Sequence, residues 1–398
     1  MAAKAKKTKK KATQAATSVL SISSSDLSRI LGNLSHAISS NPVLPILENI
    51  LIRHDGNDLI CSATNLEQSI TVIEPDVKMD GAFPEAGITV PFRILNDTLK
   101  TLPQQPIMMS FSENNVNLQS FAGTYKFVSE PGRDFPEIPG IAERKSGPAV
   151  KVEFSHAELT DIISATLWAA STDELRPAMT GIFFNREGKH LVAVTTDAHK
   201  LVKYTTKIEV EESFPVFILP KMAGNTLLKI TSSEKATAYI DDQNITFIVG
   251  NITLTARMID AHYPDYTQVM PKNNHQFAYV PANDLRSSAR RILIYANKVT
   301  NQGVLTFENG GSQVTLTGSN LDFDTEATEV LHIRGEQIEE GFRIGFNMRF
   351  LDASLNVCNT DEVKISMSTA SRAALMEPVS DATDARPVTI LLMPVMLS

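Results

Sequence analysis

Three stretches of this chain carry the same landmarks in the same order, and that repeat limits the fold more than any other feature. Each opens on an acid followed by a leucine: Asp26-Leu27, Glu158-Leu159 and Asp284-Leu285. Apolar residues then recur at helical spacing: Leu27, Ile30, Leu31, Leu34 and Ile38; Leu159, Ile162, Ile163 and Leu167; Leu285, Ala289, Ile292 and Leu293. Ser155 with Glu158 reads as a capping box, and Ser23 with Asp26 as a variant of it. A strand–turn step follows, with Asn65, Asp197 and Asn320 lying 38, 38 and 35 residues after the leading leucine. A second helix opens at Pro91, Pro220 and Asn347, at offsets of 64, 61 and 62. Proline suits a first helical turn, where its missing N–H costs nothing. Each stretch closes on Phe135-Pro136, Tyr263-Pro264 or Met393-Pro394, the prolines standing at offsets of 109, 105 and 109. Alternating stretches such as Leu191–Val194 and Val314–Thr317 read as strands between the helices. The fold class is therefore α+β: three tandem copies of one unit of two helices and an antiparallel sheet.

The expected division is a lysine-rich disordered tail over 1–17 and domains over 18–146, 147–273 and 274–398. The tail holds six lysines and no acid, so it has little to bury. It reads either as a solubilising segment or as a phosphate-contacting arm. Net charge is −8 overall, hence −14 without those six lysines, which is not the bulk basic character usual in a nucleic-acid binder. Distribution must decide. Windows around the six expected helices sum to +4, against −18 for everything else outside the tail. Cys61 and Cys358 lack metal-ligand spacing and read as buried thiols, which suits a reducing cytoplasm. No apolar run reaches the ~18 residues of a membrane span.

Catalytic motifs are missing: there is no P-loop, no GxSxG elbow, no CxxC and no HExxH. Asp197 and His199 read as a turn acid and an exposed histidine rather than an acid–base pair, and Asp265 has too few partners to hold a metal. No catalytic residue, metal or cofactor is expected. The remaining alternatives are a nuclease or polymerase subunit, which needs a carboxylate constellation, and a peptide-binding scaffold that never meets DNA.

Several strings, in order, resemble the bacterial β sliding clamps from about Val19 onward. They are Asn41-Pro42-Val43-Leu44-Pro45-Ile46-Leu47, Arg176-Pro177-Ala178-Met179-Thr180-Gly181, Thr196-Asp197-Ala198-His199-Lys200-Leu201, Tyr263-Pro264-Asp265-Tyr266 and Leu392-Met393-Pro394-Val395-Met396-Leu397. The resemblance implies half of a six-domain ring, closed head to tail by a second copy around duplex DNA without regard to base sequence. It implies as partners the DNA polymerase III alpha subunit, a clamp loader and other proteins carrying a clamp-binding motif. DNA-facing cations carried over are Arg29, Arg93 and Lys221, joined by Arg286 and Arg290 from the charge pattern; Arg291, Lys298 and Arg349 are further basic residues there. The implied partner pocket has a floor of Met179, Leu201, Pro264, Val269, Leu391, Met393, Pro394, Val395 and Leu397. Its rim is Thr196, Ala198, His199, Lys200, Gln268, Asn347 and Met396, with Phe350 beside it. The implied ring interface sets Tyr125 and Phe127 against Ile294 and Tyr295, with Lys126 and Arg291 as charged additions. Departures from the family pattern are Asn41 for a basic residue, Ala198 for glycine, and Lys200, Gln268 and Met396 for arginines. Together they make the pocket rim less basic.

Overall fold

The computed structural model describes residues 18–112, 114–230, 235–379 and 385–397. The expected tail lies outside the described residues. Two helices fall in each repeat: α1 (Ser24–Leu34) and α2 (Phe92–Thr101), α3 (His156–Thr166) and α4 (Lys221–Leu227), α5 (Ala282–Tyr295) and α6 (Met348–Cys358). Their starts are chemically fixed. Ser155 accepts the Glu158 N–H, Ser23 accepts that of Ser25, and Asn347 accepts that of Arg349. Pro91 and Pro220 stand one residue earlier than the sequence implied, at the cap itself, where each also ends a strand. The helices bury the apolar faces the periodicity marks: Leu27, Ile30, Leu31 and Leu34 are fully buried, as are Ile162, Ile163, Leu285, Ala289 and Ile292. Within each repeat the helices pack in pairs, α1 on α2, α5 on α6, and α4 on α3 through Gly224, which faces Leu167 and Ile163.

The chain folds as two units, and the line between them cuts the second repeat. One unit is the chain up to Glu153 plus Lys229–Arg257; the other is Phe154–Leu228 plus the chain from Met258. Backbone pairing explains the cut. In the first unit, strand Ile252–Arg257 of repeat two lies antiparallel to strand Gln68–Glu74 of repeat one, with Leu254 opposite Ile70. That joins a nine-stranded sheet. In the second unit, Val388–Leu392 of repeat three lies against Lys200–Glu209 of repeat two, with Leu391 opposite Leu201, and makes another nine-stranded sheet. The same two elements meet at both seams. What is left is one copy of each. Thr124–Val128 ends the five-stranded sheet of the first unit, and Thr325–His332 ends the four-stranded sheet of the second.

Two landmarks are corrected. Phe135 and Tyr263 stand several residues past the last strand of their repeats, whereas Met393 follows Leu392 directly. Met393-Pro394 is therefore not the third copy of that step; its matching offset is coincidental. The hairpin turns also differ. The side chain of Asn65 accepts the N–H groups of Glu67 and Gln68, and that of Asp197 those of His199 and Lys200, whereas the Asn320 side chain accepts that of Asp322 and its backbone carbonyl that of Phe323. Cys61 and Cys358 are buried free thiols, and burial pushes each up to about 12. Among the described residues no helix is long and apolar enough to cross a membrane.

Gly181 begins the strand Gly181–Glu187, opposite Pro220. A Cβ there would stand 2.5 Å from the Leu219 carbonyl oxygen and 2.6 Å from Ile218 Cγ2. Gly181→Ala is expected to cost about 1–3 kcal/mol through forced backbone separation. A lowered urea midpoint with unchanged slope checks this; an unchanged midpoint contradicts it.

Candidate partner pocket and nucleic-acid face

The turn between strands His190–Thr196 and Lys200–Glu209 is tied by its own side chains. Asp197 Oδ1 accepts the N–H of His199 and of Lys200, both at 2.9 Å. Thr196 Oγ1 donates to the Lys200 carbonyl at 2.8 Å and accepts the Ala198 N–H at 3.1 Å. This holds Ala198 at φ +76°, a left-handed conformation that glycine adopts at no steric cost. Ala198 and His199 are exposed at the turn's tip.

Lys200 is not on the rim. It is 7% exposed, its ammonium pairs with the Asp197 carboxylate, and it lies 4.4 Å from the Phe350 ring centroid and 5.6 Å from that of Trp168. The carboxylate and two π faces offset the loss of water around the charge. Leu201 and Leu391 are also displaced from their expected role. They face each other across the sheet seam, buried with Val192, Val194, Ile218, Tyr263, Tyr266 and Ala373. They are core beneath the site rather than contact surface. Tyr263 stacks on Phe183 with centroids 4.4 Å apart. The Tyr266 hydroxyl donates to Glu187, which Lys203 also engages, so burial and that carboxylate both hold the phenol above its ordinary pKa.

The terminal segment lies against the same turn. The Met393 N–H donates to the His199 carbonyl at 2.9 Å, and the Val395 N–H to the Gly345 carbonyl at 2.8 Å. Gln302 Nε2 donates to the Met396 carbonyl at 3.2 Å. Met393 and Met396 are exposed, and Pro394, Val395 and Leu397 are half-buried. Met179 and Pro264 are half-buried neighbours of Ala178 and Tyr263, which pack on or belong to the shared core. Val269 is exposed, and the Gln268 amide is turned onto Asp265 at 2.9 Å. Asn347 serves as the cap of α6. Sequence reasoning missed Trp168, Gln302 and Gly345. The signal for Gly345 is its lost side chain: a Cβ would lie 2.8 Å from the Val395 carbonyl oxygen.

Most of the expected DNA-facing arginines are engaged by carboxylates. Arg29 forks onto Glu74 at 2.7 and 2.9 Å, with Asp26 at 3.8 Å. Arg286 and Arg290 both donate through Nε to Asp352 Oδ1, at 3.0 and 2.8 Å. Arg291 is bidentate on Glu329, through Nε and Nη2, each at 2.6 Å, and that guanidinium holds the Glu329 carboxyl below the usual carboxylate range. Arg291 is thus engaged by an acid of its own subunit. Arg349 Nε donates to Asn301, and Lys298 to the Ile294 carbonyl. Arg93 is exposed and lines a cavity of about 330 Å³ with Ser35, Ser39, Ser40 and Asn96, while Lys221 is half-buried. Lys229 and Lys298 fall outside α4 and α5, so the six helices themselves carry +2 rather than +4.

Of the expected interface residues, Ile294 and Tyr295 are 66% and 41% exposed at the end of α5. Tyr125 is half-buried. Phe127 is 4% exposed, so it belongs to the core of its own sheet. Phe121 and Val128 are the exposed apolar groups beside it. Among the described residues no group of His, Cys, Asp and Glu is arranged to hold a metal.

Three domain families match in sequence: the N-terminal domain of the DNA polymerase III beta subunit over residues 19–139, the central domain over 153–265 and the C-terminal domain over 267–395. The chain is 27% identical over 365 residues to the beta sliding clamp of Vibrio cholerae, covering 90% of this chain and 96% of that one. It is 28% identical to that of Staphylococcus epidermidis, with 90% and 94% covered. Among solved structures, the DnaN sliding clamp of Bartonella birtlesii superposes with a TM-score of 0.87 at 26% identity, over 96% of this chain and all of that one. The Pseudomonas aeruginosa clamp gives 0.86 at 22% identity, over 96% and 100%. The fold class is that of the three-domain DNA clamps. The chain belongs to the DNA polymerase III beta subunit family, the bacterial β sliding clamps. Its work is to encircle DNA as a ring of two copies and to confer processivity on DNA polymerase III; it is a tether, not a catalyst.

Ala198→Gly is expected to stabilise the fold by about 1 kcal/mol, because relief of the positive φ outweighs the entropy glycine adds to the unfolded chain. Chemical denaturation checks this; a destabilised variant would mean the turn bears no strain.

Proposed function

We propose that the clamp is built of domains 18–146, 147–273 and 274–398, acts in the cytoplasm, and uses three separate surfaces. The first is a phosphate-facing set of Arg29, Arg93, Lys221, Arg286 and Arg290 on the paired helices. Its weak net charge fits a sequence-blind contact that must not arrest sliding. The second is a peptide groove at the seam of repeats two and three, over the Leu201–Leu391 core. Its polar edge is the Thr196–His199 turn with Gln268 and Asn347; its apolar wall is Met179, Pro264, Val269 and the terminal Met393–Leu397 segment, with Phe350 fixed beside it by Lys200. Exposed methionines suit a groove that takes varied apolar motifs, including those of the polymerase and the loader.

The third surface closes the ring, and the sheet seams carry this reading. Strand Gln68–Glu74 meets Ile252–Arg257, and strand Lys200–Glu209 meets Val388–Leu392. By the same rule, Thr325–His332 of one copy takes Thr124–Val128 of the next, with Tyr125, Phe121 and Val128 packing toward Ile294 and Tyr295. The contact is heterologous, and two copies close it.

Ile294→Asp with Tyr295→Asp is expected to give a folded monomer that still binds a clamp-motif peptide. Each residue is exposed in the single subunit, so the loss falls on association, at about 1.5 kcal/mol or more per side chain. A dimer mass at micromolar concentration in ultracentrifugation would contradict this. Deleting residues 393–398 is expected to do the reverse: the dimer persists while affinity for the peptide drops at least tenfold, about 1.4 kcal/mol. Retained peptide affinity would remove the terminal segment from the groove.

A further inference from the structure

The pairing of Arg286 and Arg290 has no good explanation in stability. The two arginines stand one turn apart on α5, where like charges repel. Both send Nε to the same oxygen of Asp352 on α6, at 3.0 and 2.8 Å. The side chains are 29%, 55% and 27% exposed, so water reaches all three and the ion pairs contribute modestly to the fold. Their effect on charge is larger: three ionised groups present a net +1 instead of +2 to an approaching phosphate. The carboxylate takes only Nε of each guanidinium, so among the described residues the terminal nitrogens stay available to an anion.

We propose that Asp352 is an affinity-setting residue of this clamp, an acid that tempers the Arg286–Arg290 pair so that duplex phosphates are held weakly enough to be exchanged as the ring moves. A topologically closed ring needs no tight contact to stay on DNA. Every extra phosphate contact adds an attraction that must be broken at each step. The inference rests on the reading that Arg286 and Arg290 meet the duplex.

The test is a salt titration of the full-length dimer against a fluorescent linear duplex, read by anisotropy. Asp352→Asn is expected to steepen the dependence of log affinity on log salt by about 1. Affinity at 50 mM salt should rise about threefold or more. Asp352→Ser should act in the same direction, and an unchanged melting temperature certifies the fold of either. In an Arg286→Ala, Arg290→Ala background, Asp352→Asn should no longer steepen the slope. An unchanged or shallower slope for Asp352→Asn alone, with the arginine pair shown to matter, overturns the proposal and makes Asp352 a mere ion-pair partner. If the double alanine variant itself leaves the slope unchanged, the arginines do not meet phosphates, and the reading beneath the proposal fails first.

Discussion

Leu254 opposite Ile70, and Leu391 opposite Leu201, mark the places where a sheet begun in one repeat is continued by another. Backbone N–H and C=O groups along a strand must find partners, and an open edge invites another chain. The repeats meet this demand by lending their last strand to the sheet of the repeat before. The consequence is a division of the chain that ignores the repeat: the second repeat gives strands Lys235–Ile240, Asn244–Val249 and Ile252–Arg257 to one unit and its helices to the other. The scheme also leaves one lender and one borrower without a partner in the same chain. Under the proposed pairing a second copy would supply both, so that reading derives the head-to-tail dimer from how the subunit itself is joined.

The same seam shapes the groove. Leu201 and Leu391 seal the joint from beneath, so the surface above it is set by what the hairpin turn and the terminal segment add. Lys200 shows how strongly this constrains side chains. Its neighbours in sequence, Ala198 and His199, are exposed at the tip, but position 200 begins a strand and points into the seam toward Phe350 and Trp168. A cation there rigidifies the wall and contributes no charge to the rim. With Gln268 turned onto Asp265, and methionine rather than a basic residue at 396, the proposed groove would read its motif mainly by apolar fit.

The helices and the order of the landmarks were legible because they depend on local chemistry: caps at Ser23, Ser155 and Asn347, and an apolar stripe of period 3.6. Periodicity alone could not tell which unit a strand joins, since pairing between residues such as Ser69 and Thr255 is fixed by edges far apart in sequence. Side-chain direction was lost for a related reason. Phe127 and Val128 alternate along a strand, and a one-residue step decides between core and exposed surface. The fate of Arg29, Arg286, Arg290 and Arg291 was illegible too, because their acids, Glu74, Asp352 and Glu329, lie 38 to 66 residues away. The resemblance supplied the groove's members, but Gln302 and Gly345 appear only once the terminal segment is laid against its strand.

These ion pairs revise what a helix-lined DNA contact requires. The sequence windows around the helices total +4, but acids engage most of the arginines locally, and the helices themselves total only +2. For a protein held to DNA by affinity this would be a defect, since phosphate contacts supply most non-specific binding. For one held by closure it is the favourable arrangement. Residence then depends on the strength of the seam between copies, and the helices need only keep the duplex from adhering to one wall. On the proposed reading, retention and mobility fall to different parts of the molecule, backbone pairing at the sheet edges for the first and a charge discounted by ion pairing on α1 and α5 for the second.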